Sequence, residues 1–103
     1  MRIAIFIMPK ESKKDETPKK NAYAFEIEDE VIIPIGYTTL SFNNADYLIL
    51  WLLSKQINII YVDGIKNEIK ILLNKLDIKI KKLGQITKEP FFKIFLENIK
   101  IYK

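Results

Sequence analysis

Asp63-Gly64 is the point in this sequence where residue types first suggest chemistry. The apolar run Ile57-Asn-Ile-Ile-Tyr-Val62 ends there, and a helical pattern starts at Ile65. In an α/β sheet, ligands collect at the carboxyl ends of parallel strands, beside helix starts whose N–H groups lack intrahelical partners. Lys10, just past the first apolar run, and Lys66 add positive charge to that edge. The candidate site is therefore Lys10, Asp63, Gly64, Ile65 and Lys66, and its ligand a small anion. Asp63 also suits a structural role as cap of the following helix, and its charge opposes an anion. Capping is its main expected role.

Other chemistry has fewer supports. The 103 residues include no histidine and no cysteine, which removes the commonest general base, the commonest transition-metal ligand and any thiolate. Ser12, Ser41, Ser54 and the tyrosines have no imidazole to activate them. Glu26, Glu28 and Glu30 share one face of a strand, but alternate strand positions are about 7 Å apart, too far to share one ion unaided. A solvated acidic face is expected there. The reading is a binding or interaction domain and not an enzyme, with no cofactor and no metal.

These residues need elements to position them. Residues 57–84 form the organising unit. Ile57–Val62 is β-branched and too short for an independent helix, so it reads as a buried strand. Ile65, Ile69, Leu72, Leu73 and Leu76 then make one helical stripe, with Lys66, Asn67, Glu68, Lys70, Asn74 and Lys75 opposite. On that pattern Leu72 belongs to the buried stripe. Ile78–Leu83 is a second strand, closed by Gly84. Strand, helix and strand with short joints predict a parallel pair with a right-handed crossover.

Upstream, Arg2–Met8 is continuously apolar and predicts a central strand. Pro9–Lys20 has no apolar residue to order it and predicts a mobile loop. Ala22–Glu28 alternates, with Tyr23, Phe25 and Ile27 on one side. Val31–Ile35 follows a turn at Glu28-Asp-Glu30; Pro34 assigns it to a sheet edge, and Gly36 ends it. The first helix spans 42–55, capped by Asn43 or Asn44. It buries Ala45, Leu48, Ile49, Leu52 and Leu53, while Tyr47, Leu50 and Trp51 widen the apolar face beyond one stripe. Core packing is the first reading of those three, a homodimer or protein-partner surface the second and an aromatic ligand pocket the third. A last helix, Pro90–Ile99, buries Phe91, Phe92, Phe95, Leu96 and Ile99. The order is β-β-β-α-β-α-β-α: one α/β domain with a five-stranded mixed sheet in order 3-2-1-4-5 and flanking helices.

Composition sets limits on function. The chain is 49% hydrophobic and 29% charged, a globular balance at a length that allows one core. No apolar run approaches the ~20 residues of a membrane span, and no small-residue cleavage site follows the first strand, so a cytoplasmic location is expected. Residues 1–63 carry seven Lys/Arg against nine Asp/Glu, and residues 64–103 ten Lys against four acids. The basic second half supports an alternative reading, a nucleic-acid-binding surface through Lys79, Lys81, Lys82, Lys88, Lys93 and Lys100. It ranks second because Phe91, Phe92 and Phe95 fall on a core stripe and not between the lysines.

Met1-Arg-Ile-Ala-Ile5, Tyr23-Ala-Phe-Glu-Ile27, Val62-Asp63-Gly64, Leu72-Leu73 and Leu76-Asp-Ile-Lys-Ile80 together resemble the dinitrogenase iron–molybdenum cofactor biosynthesis family over most of the chain. The resemblance implies a ribonuclease-H-like fold and a cofactor-handling ancestry. Members usually carry His-Phe-Gly before the second strand, where this chain has Pro18-Lys-Lys-Asn21, and more glycines after the fourth strand, where only Gly64 remains. Without His or Cys, cluster ligation of the family type is not expected. Two-metal nuclease chemistry is not expected either, because the first strand has no acid and Asp63 stands alone.

Overall fold

The computed structural model describes residues 1–7, 19–29, 31–41 and 44–93. Alternation along the first strand, β1 (Arg2–Ile7), explains its place. Ile3 and Ile5 enter one core cluster and Ala4 and Phe6 the other, so both faces of β1 are covered. Around it lie β2 (Lys19–Glu28), β3 (Val31–Ser41), β4 (Ile59–Tyr61) and β5 (Lys79–Lys81). The sheet order is β3-β2-β1-β4-β5, as the sequence pattern predicts. β1–β2 and β2–β3 are antiparallel, whereas β1–β4 and β4–β5 are parallel. The chain is one α/β domain.

Helices α1 (Ala45–Ser54) and α2 (Asn67–Lys75) contribute to the same core cluster, on the sheet face of Ala22, Ala24 and Ile60. Asn44 caps α1, its side-chain oxygen accepting the Tyr47 N–H at 3.1 Å. Ala22 and Ala24 are fully buried, so the small-residue side of β2 is its more deeply covered side.

Both helices end alike. The Ile57 N–H donates to Leu52 O at 3.0 Å and the Gln56 N–H to Leu53 O at 3.1 Å, with Gln56 at φ 54. In α2 the Ile78 N–H donates to Leu73 O at 3.0 Å and the Asp77 N–H to Asn74 O at 3.1 Å, with Asp77 at φ 63. This is a Schellman closure, which satisfies the last helical carbonyls and brings an apolar residue back onto the helix. Ile57 with Leu52, and Ile78 with Leu73, are buried accordingly. Each closure turns the chain back into the sheet as the next parallel strand.

Several boundaries differ from the sequence expectation. β3 runs through Gly36 to Ser41, because Tyr37, Thr38 and Thr39 favour extended backbone. A register shift at Ala24/Phe25 accommodates the edge proline, since Phe25 pairs with Pro34 and Ala24 with Gly36. The Lys55 side chain crosses Gly36: a Cβ there would stand 2.8 Å from its Cε, which the flexible lysine end could relieve by a small shift. Lys19 and Lys20 belong to β2 and not to a loop. β5 stops at Lys81, and a 3-10 helix, Leu83–Lys88, replaces the expected strand end. A long-range contact accompanies the change, as Asp63 Oδ1 accepts the Leu83 N–H at 3.1 Å where the chain turns. Ile86 and Phe91 then cover the second sheet face, with Ile3, Ile5 and Tyr61. Met8, residues 9–18 of the expected loop and residues 94–103, with the body of the expected last helix, lie outside the described residues.

Candidate functional site

Gly64 has φ 70, the left-handed conformation that lets β4 turn towards α2. Asp63 does not cap α2; the cap position is Lys66, and its side chain makes no capping bond. Three residues separate Asp63 from the helix start, so its carboxylate reaches the Leu83 N–H instead. The Asp63 carbonyl accepts a hydrogen bond from Lys20 Nζ. Lys20 stands on the face of Ala22 and Ala24, is buried, and brings its ammonium beside Gly64: a Cβ on that glycine would lie 3.7 Å from Nζ. Burial lowers the Lys20 pKa below the ordinary lysine value, while the Asp63 charge raises it.

Beside this junction, at the carboxyl ends of β4 and β5, is a half-open cleft of about 500 Å³. Val62, Ile65 and Ile80 supply its apolar walls. Lys70 and Asn74, one helical turn apart on α2, and Lys81 and Lys82 at the end of β5 supply the polar lining, together with Asp63 and Gly64. Of the candidates read from sequence, Asp63, Gly64 and Ile65 meet here. Lys66 is exposed at the start of α2 and is not part of the lining, and Lys10 lies outside the described residues. Sequence reading missed Lys20, Lys70, Asn74 and the β5 lysines. The i, i+4 spacing of Lys70 and Asn74, and the rule that parallel strand ends gather ligands, were the signals available for the last three.

On the opposite sheet face Lys81 Nζ pairs with Glu89 Oε1 at 2.9 Å and lies 5.9 Å from the Tyr61 ring centroid. The Tyr61 hydroxyl is buried with no hydrogen-bond partner among the described residues. Burial, then the nearby Glu89 carboxylate, push its pKa up to about 12. Phe91 stands edge-on to Tyr61 with ring centroids 6.5 Å apart. Phe91 is buried and Phe92 half-buried, so neither offers a stacking platform between the lysines.

On α1, Tyr47 and Leu50 are 54% and 64% exposed. Trp51 is half-buried, its ring edge-on to Phe6 at 6.2 Å, so it packs with the core instead. Leu53, expected inside, is 49% exposed and takes its place on the outer surface. Among the described residues no helix is long and apolar enough to cross a membrane, and no three acidic side chains gather as a metal site.

No protein-family model matches this chain, and no curated protein matches it significantly. Among solved structures, the crystal structure of PH0822 is similar, with a TM-score of 0.53 and 16% sequence identity over 95% of this chain and 91% of that one. At that identity the likeness is one of fold.

Proposed function

We propose that this chain is a non-catalytic binding domain that takes a small anion in the cleft between the ends of β4 and β5 and helix α2. The observation that carries this reading is the meeting of Lys70, Lys82, Asn74 and the Gly64 backbone around one opening at the carboxyl edge of parallel strands. Lys20, behind Gly64, adds to the positive potential there. The scaffold, in this reading, is that of the dinitrogenase iron–molybdenum cofactor biosynthesis proteins, with cluster ligation lost and the protein working in the cytoplasm. The strand order supports the scaffold, and the lack of His and Cys supports the loss. A second copy of the chain, meeting α1 through Tyr47, Leu50 and Leu53, is the proposed protein partner.

Titration with inorganic phosphate, followed by ¹H–¹⁵N correlation spectra, tests the anion site. Saturable shifts are expected at residues 63–65 and 80–82, weaker in Lys82→Gln and in Lys70→Gln. Unmoved signals in both segments at high phosphate, and equally at high concentrations of small carboxylates and organic phosphates, would end this reading.

A further inference from the structure

We infer that the ligand of this cleft is an organic anion with a compact apolar body and not an inorganic oxyanion; this rests on the anion-binding reading above. Size is the first argument. A cleft of about 500 Å³ lies within the roughly 300–1,000 Å³ typical of small-molecule sites. Phosphate or sulfate alone would leave most of that space to water.

The lining is the second argument. Val62 is buried, and Ile65 and Ile80 remain half-buried on the cleft walls, so part of the surface gains only from an apolar group. Lys70 on α2 and Lys82 just past β5 line the same opening. Lys81 is engaged by Glu89, and Asp63 by the Leu83 N–H. Among the described residues, Lys70 and Lys82 remain to meet the ligand charge, with Asn74 as a neutral donor. Apolar wall and cationic rim on one opening match a molecule with both characters. An alkyl carboxylate and an aryl phosphate share that chemistry.

Two matched pairs of probes decide the matter: acetate against hexanoate, and inorganic phosphate against phenyl phosphate, each titrated into the full chain at constant ionic strength. Each methylene buried on the walls is expected to tighten binding about fourfold. Hexanoate and phenyl phosphate should each bind at least tenfold tighter than their small partners, with methyl shifts at Ile65 and Ile80. The stronger pair names the headgroup. Ile65→Thr should shrink the ratio between the members of each pair, a result that does not depend on absolute affinity. Equal affinity within both pairs, at shifts confined to residues 63–65 and 80–82, would overturn the organic ligand and leave the anion site standing. Organic probes that move Tyr47 and Leu50 instead would also overturn it. No shift from any of the four would remove the site itself.

Discussion

Tyr61 is the residue with the clearest measurable consequence. Its hydroxyl lost water on folding and has the Glu89 carboxylate beside it without a well-formed hydrogen bond, and a bond left unmade there costs up to about 1–3 kcal/mol. Tyr61→Phe keeps the ring against Phe91 and removes that cost, so urea unfolding at pH 7 should show equal or higher stability. The pH dependence has a definite sign. With the folded pKa at about 12 against an ordinary 10, the unfolded chain releases this proton first. The folded form is therefore favoured fully below pH 10, and that advantage is lost as pH rises from 10 to about 12. The difference between wild type and Tyr61→Phe should change across that window and stay flat below it; a flat difference throughout would place the hydroxyl in water. Lys20 shows why some single residues were unreadable. In sequence it sits in Pro-Lys-Lys-Asn, with every mark of a loop. Its burial depends on β3 extending to Ser41, where Leu40 pairs with Lys20.

At the scale of elements, α2 separates two adjacent leucines that pattern alone treats as equals. Leu73 is fully buried and Leu72 is 39% exposed. Leu73→Ala should cost about 2–5 kcal/mol, and Leu72→Ala clearly less. Chemical denaturation of the two variants side by side checks this, and equal losses would mean that α2 is rotated on the sheet. The stripe read from sequence was too wide because α2 rests on strands of three residues each, which cover only Ile69 and Leu73 fully. Long-range order was legible because it rests on periodicity: the continuously apolar β1, the edge proline of β3 and the 57–84 crossover all stand where pattern puts them. The twin helix closures were half legible. Ile57 and Ile78 were placed as strand starts, but Gln56 and Asp77 carry no glycine to announce a left-handed turn. The 3-10 helix was invisible, because it forms where a distant carboxylate, Asp63, takes an N–H.

For the whole molecule, the outer face of α1 is the test of assembly. Tyr47, Leu50 and Leu53 recur every third residue, and each is about half exposed or more. A homodimer through this face should sediment as twice 12.1 kDa at micromolar concentration, and Leu50→Lys should return it to the monomer without loss of helical circular dichroism. A single 12.1 kDa species at all concentrations would remove the second copy from the account.

The two rims of the sheet are unlike each other. The β5 rim is three residues long and carries Lys79 and Lys81. The β3 rim is eleven residues, Val31–Ser41, with no charged side chain, and Val31, Ile33 and Tyr37 are exposed along it. Among the described residues, Pro34 and the register shift beside it are what interrupt the invitation to another extended chain. Handled at high concentration or partly unfolded, this protein is therefore expected to aggregate from β3, by strand addition at that rim and not at the lysine-bearing one.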